Sequence, residues 1–189
     1  MREKSLRVIG GTLKGRKIKS LEGEEVRPTS DRVKEALFNI LMNRIEGSVF
    51  LDLFAGTGNV GIEALSRGAE FCYFVDKSTN SVKCIRENVE GLELQPFCKI
   101  FHKDAFTALE IFHKKSVKFD IIFLDPPYYQ NLAEKALRRI GSLEVLKEGG
   151  IVIAEVHKRD ELKERYGKLK KVRENKYGET ILMFYEEEI

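Results

Sequence analysis

Val49-Phe-Leu-Asp-Leu-Phe-Ala-Gly-Thr-Gly-Asn-Val-Gly61 is the stretch that decides the fold. It opens as an apolar run of strand character, turns on its glycines and enters a helical pattern, so Gly56, Gly58 and Gly61 form GxGxxG between a strand and a helix. Glycines there let the chain turn tightly and let a ligand lie against backbone with no Cβ in the way. The motif alone fits a bare βα turn, or a dinucleotide with its pyrophosphate on the helix N-terminus.

The same alternation runs downstream. A helix over 59–67 is followed by FCYFVD (71–76), a helix over 79–90, KIFH (99–102), a helix over 105–113, FDIIFLD (119–125), a helix over 132–140 and GIVIAEV (150–156). This pattern predicts an α/β, Rossmann-like, mostly parallel sheet with helices on both faces. Gly68 stands where a helix C-cap is expected, Asn131 and Glu134 have the spacing of a capping box, and Gly141 can end that helix. The alternation then stops. A charged helix over 159–166 leads to LKKVREN (169–175), and Tyr177-Gly178 precedes TILMFYE (180–186), which reads as a C-terminal antiparallel hairpin. Upstream, RVIGGTLKGRKIK (7–19) predicts a small glycine-broken hairpin. PTSDRVKEALFNILMNRI (28–45) predicts a helix with Val33, Leu37, Ile40 and Leu41 on one face and Ser30 or Asp31 as its cap. With no linker or repeat in view, residues 1–189 read as a single domain, an extension over 1–46 docked on a core over 47–189.

Composition narrows the class. At 189 residues and 42% hydrophobic the chain can bury a core, and no apolar stretch is long enough to span a membrane. The charged start MREKSLR is not followed by a signal-peptide core, so a cytoplasmic protein is expected. Cys72, Cys84 and Cys98 form no CxxC pair, and His102, His113 and His157 are scattered, so buried thiols and no metal are expected. Net charge is only +3, yet Arg2, Lys4, Arg7, Lys14, Arg16, Lys17 and Lys19 meet one acid, Glu3, before residue 20. That density suits a surface touching phosphates, and equally a strand edge guarded by lysines.

Acids at strand ends point to the ligand. Asp76 ends the second strand of the alternation twenty positions after Gly56, where a carboxylate can accept from two ribose hydroxyls. Asp52, four residues before Gly56 and next to Phe54 on the turn, favours S-adenosylmethionine, which carries an ammonium and a sulfonium; beside a pyrophosphate the same charge would repel. Asp104, with Ala105 and Phe106 after it, can bind an adenine amine or serve as a helix N-cap.

Asp125-Pro126-Pro127-Tyr128 follows the fourth strand of the alternation, at the edge where open α/β sheets bind ligands. Two successive prolines fix φ twice and remove two N–H donors, leaving carbonyl acceptors. An exocyclic base amine needs such acceptors because its lone pair is delocalised into the ring. Bonds to the Asp125 carboxylate and the Pro126 carbonyl would draw the nitrogen toward tetrahedral geometry, and Tyr128 could stack on the base. A plain proline turn would account for Pro126 and Pro127 but not for their neighbours.

With the glycine turn, Asp76 and Asp-Pro-Pro-Tyr in this order, the chain resembles class I amino-methyltransferases, whose sheets end in an antiparallel hairpin. RVIGGTLKGRKIK, RPTSDRVKEALFNIL (27–41), LDLFAGTGNVGIEALSRGA (51–69) and KYGETILMFY (176–185) resemble the RsmD family over nearly the whole chain. That resemblance implies methylation at N2 of a guanine in 16S rRNA, conventionally position 966, within a 30S subunit or assembly intermediate, by an enzyme expected to act as a monomer. It makes Arg7, Lys14, Arg16, Lys17, Arg27 and Arg32 RNA-binding candidates, with surface solvation or capping as their simpler roles. Alternative readings are a DNA or RNA adenine-N6 methyltransferase and a non-catalytic RNA-binding assembly factor.

Overall fold

The computed structural model describes residues 6–21, 30–127 and 131–188, which leaves Arg27 and Tyr128 outside the described residues. The elements run β1 (Leu6–Arg7), β2 (Lys17–Ile18), α1 (Asp31–Ile40), α2 (Met42–Ile45), β3 (Val49–Asp52), α3 (Asn59–Ser66), β4 (Phe71–Asp76), α4 (Thr79–Gly91) and β5 (Cys98–His102). They continue with α5 (Ala105–Lys114), β6 (Phe119–Leu124), α6 (Leu132–Ile140), β7 (Leu146–His157), β8 (Arg165–Tyr166), β9 (Leu169–Tyr177) and β10 (Thr180–Glu187). The large sheet has the order β5-β4-β3-β6-β7-β10-β9-β8. Its first five strands pair in parallel, and β10 inserts antiparallel between β7 and β9.

Alternation along each strand divides the core in two. Phe50, Phe74, Phe123, Ile153 and Phe184 face one layer, against Leu37 and Phe38 of α1, Val60 of α3 and Ile85 of α4. Leu51, Ile122, Val152 and Met183 face the other, against Leu109 and Phe112 of α5 and Leu137 and Ile140 of α6. The parallel strands are apolar on both faces because helices cover both. Ser30 caps α1 by accepting from the Val33 N–H, and Val33, Leu37 and Leu41 are buried while Ile40 is half-buried.

β1 and β2 pair in antiparallel fashion, and the hairpin docks on α3 through a buried ionic centre. The Glu63 carboxylate accepts from the N–H groups of Ile9 (3.0 Å) and Gly10 (2.8 Å), from Arg67 Nε (2.8 Å) and from Lys34 Nζ (3.2 Å). Lys34 and Glu63 are both fully buried, and the Lys34 ammonium also donates to the Arg7 carbonyl at 2.8 Å. Gly11 allows the approach: at φ +74° a Cβ there would lie 1.8 Å from the Ser66 carbonyl oxygen.

Two local expectations are corrected. No helix forms over 159–166. That segment holds charges without an apolar stripe, so Asp160 turns back to accept from the His157 N–H, and Arg165–Tyr166 joins the sheet as β8 with Tyr166 buried. The capping box at α6 is also absent. Asn131 adopts a left-handed φ of 52° and makes no side-chain cap bond, whereas an N-cap side chain needs extended backbone, and Glu134 pairs with Arg138 instead. Gly141 does follow α6. Among the described residues no helix is long and apolar enough to cross a membrane.

Candidate active site

The strand order reverses between β3 and β6, and such a switch point opens a crevice at the carboxyl ends of the strands. A cavity of about 650 Å³ lies there, within the range of small-molecule sites. It brings together Asp52, Phe54, Gly56, Asp76, Asp104 and Ala105 with Asp125 and Pro126. Gly58 does not line it: with φ +79° it starts α3 from behind the wall.

Each acid is held by a specific local device. Asp52 is almost fully buried and Oδ2 accepts from the Gly61 N–H at 3.0 Å, tying the end of β3 to the first turn of α3. Gly61 keeps that contact close, since a Cβ there would sit 2.3 Å from the Phe74 ring. Burial pushes the Asp52 carboxyl up to about 7, the Gly61 bond opposes this, and the charge of Asp76 adds to it. Asp76 closes the glycine loop, Oδ2 accepting from the Gly56 N–H (2.9 Å) and Oδ1 from the Ser78 N–H (2.8 Å). Asp104 is the N-cap of α5, with Oδ1 accepting from the Phe106 and Thr107 N–H groups, and it lines the cavity as well. Its two proposed roles are therefore compatible.

Asn59, which the sequence reading passed over, lines the same cavity although only 5% exposed. Its Oδ1 accepts from Lys34 Nζ at 2.7 Å, which fixes the amide orientation because an ammonium only donates. Nδ2 is buried without a hydrogen-bond partner among the described residues. An orphan donor in a ligand cavity fits a ligand with an acceptor there, such as a carboxylate. Its position directly after Gly58 was the available signal. Leu21 also lines the cavity, bringing the N-terminal segment to the site.

The basic candidates lie elsewhere. Arg7, Lys14, Arg16, Lys17 and Arg32 are exposed and none lines the cavity. Arg7 pairs with Asp31 at 3.4 Å, and Arg16 donates to the Gly91 carbonyl at 3.1 Å. Cys72 and Cys84 are buried, Cys98 is half-buried, and none is in a disulfide.

Residues 6–186 match the family described as conserved hypothetical protein 95. The ribosomal RNA small subunit methyltransferase D of Haemophilus influenzae is 36% identical over 154 residues, covering 81% of this chain and 79% of that one. The chain belongs to the RsmD family. YlbH of Bacillus subtilis is 41% identical over 180 residues, covering 95% of this chain and 98% of its own. The RsmD-family fold also matches the solved structure of Escherichia coli YhhF with a TM-score of 0.86 at 29% identity, covering 97% and 98% of the two chains.

A smaller cavity of about 280 Å³ adjoins the site of this RsmD-family chain across the proline turn. Pro126, Pro127 and Leu132 line both cavities, and the smaller one continues over Glu155, Arg159 and Leu162. Glu155 is 4% exposed. Its available signal was an acid inside an otherwise apolar run, GIVIAEV, within β7.

Proposed function

We propose that this chain transfers a methyl group from S-adenosylmethionine to the exocyclic N2 of a guanine in 16S rRNA. It would act in the cytoplasm, as a monomer, on a 30S subunit or assembly intermediate. The observation that carries the reading is that Asp125 and Pro126 line the same cavity as Asp52, Asp76 and Asp104. The proposed amine acceptors and the acids proposed to bind the cofactor thus share one cavity.

Asp52 would meet the cationic end of the cofactor, Asn59 Nδ2 its carboxylate, Asp76 its ribose, and Asp104 with Ala105 its adenine. When bound, S-adenosylmethionine supplies a methyl group on a sulfonium and leaves as neutral S-adenosylhomocysteine. The Asp125 carboxylate and the Pro126 carbonyl would accept the two N2 hydrogens, localising the lone pair for attack, and Asp125 would receive the proton lost as the C–N bond forms. Tyr128 would stack on the base, a contact worth roughly 1 to 3 kcal/mol in nucleic-acid sites. Positioning of this kind can supply effective molarities of about 10⁵ M or more.

The test is methylation with labelled S-adenosylmethionine of 30S particles, naked 16S rRNA and DNA, side by side, the RNA arms from a strain lacking the activity, with the product mapped. Label at guanine N2 is expected in at least one arm. Label on adenine, or transfer to DNA alone, would overturn the assignment.

A further inference from the structure

An Asp-Pro-Pro-Tyr segment presents acceptors to a base amine without saying which base bears it. The atoms beside that amine differ. Next to N2 of guanine stands N1–H, a donor; next to N6 of adenine stands N1 with a lone pair, an acceptor. A guanine site therefore needs a further acceptor next to the amine acceptors, and an adenine site needs a donor there.

The structure offers that acceptor at a position fixed by sheet register. The last register pair between β6 and β7 is Leu124 with Ala154, so Asp125 and Glu155 are the next residues along neighbouring parallel strands. By alternation Glu155 shares the sheet face of Ile153, as Asp125 shares that of Phe123. Glu155 lines the 280 Å³ cavity, which begins at Pro126 and Pro127. Pro127, Leu132 and Leu162 give it apolar walls suited to the faces of a ring.

We infer that this smaller cavity receives the target base and that the Glu155 carboxylate accepts its N1–H, selecting guanine over bases whose N1 carries a lone pair. The inference rests on the proposed base methylation and deepens it by naming a specificity-determining residue. A carboxylate at Glu155 would repel the lone pair at adenine N1, whereas it can accept the N1–H of guanine.

The experiment uses target RNA carrying either guanine or 2-aminopurine at the methylated position. 2-Aminopurine keeps the reacting amine but has a lone pair at N1. The wild-type chain is expected to favour guanine in kcat/KM by roughly a hundredfold or more. Glu155→Gln, whose amide can donate to that lone pair, is expected to bring the ratio within about tenfold while binding S-adenosylhomocysteine as the wild type does. A purely structural role for Glu155 would lower both rates together and leave the ratio unchanged, which overturns the inference. Equal use of the two bases by the wild type overturns it as well, without needing the variant. No transfer to guanine-containing RNA by the wild type would instead remove the functional reading beneath it.

Discussion

Asp52 and Asp125 stand at the ends of adjacent strands and in the same cavity, yet their chemistry should separate in experiment. Asp125 is proposed to touch the base, so Asp125→Ala should keep cofactor affinity within a few-fold by calorimetry while single-turnover methylation falls by roughly 10² or more. Turnover near the wild-type rate would remove its assigned role. Asp52 is proposed to touch the cofactor, and its raised pKa makes this testable by pH. Because its folded carboxyl titrates near 7, above the ordinary value of 3.8, the folded chain holds this proton more tightly than the unfolded one. Its contribution to stability is therefore complete below the ordinary carboxylate range and fades as pH rises through about 7. Affinity for a sulfonium ligand should move the opposite way, rising over that window as the carboxylate ionises. Asp52→Asn should flatten the affinity profile, and an equally steep profile in the variant would point to another group.

At the scale of elements, the contacts that hold the site join segments distant in sequence. Lys34 lies on α1, Glu63 on α3 and the Arg7 carbonyl in β1, and their meeting fixes the Asn59 amide in the orientation its proposed role needs. Burial pulls the Lys34 ammonium below its ordinary value and Glu63 draws it back up, the balance expected of a desolvated pair. Lys34→Met leaves the Glu63 carboxylate buried without its ammonium, so unfolding in urea should show a loss of about 3 kcal/mol or more. A midpoint equal to the wild type would show that Arg67 and the backbone N–H groups suffice. The helices whose apolar stripes repeat at helical spacing were legible from pattern alone, as with Val33 and Leu37 on α1 and Leu41 at its C-cap. The errors fell where local pattern competes with tertiary pairing. Tyr166 is drawn into the sheet by burial and by pairing with Leu169, and the backbone entering α6 turns left-handed at Asn131.

For the molecule as a whole, the open question of function is how a compact fold holds a structured RNA. The N-terminal hairpin is fastened to α3 and presents Lys14 and Lys17 to solvent, while the segment leading from it reaches the larger cavity at Leu21. If these lysines meet phosphates, Lys14→Ala and Lys17→Ala should each reduce the slope of log affinity against log salt by about 0.7 to 0.9, according to whether the contact is to single-stranded or duplex RNA. Unchanged slopes in both would assign them to protection of the hairpin edge.

By itself the sequence determined the layered α/β fold, the turn on Gly56 and Gly58, and the acids at positions 52, 76, 104 and 125, because strand periodicity, glycine conformation and motif spacing are local properties of a chain. Whether those acids share one cavity depends on strand order, which local pattern does not encode. The neighbours that complete the site depend on it too. Asn59 has meaning only once Lys34, 25 residues upstream, has taken one end of its amide. Glu155 stands next to Asp125 only because β6 and β7 pair in the register that closes at Leu124 and Ala154. Contact order and register are set by the packing of whole elements against a common core, and so the group proposed to read the base was placed there and not by the motif proposed to accept its amine.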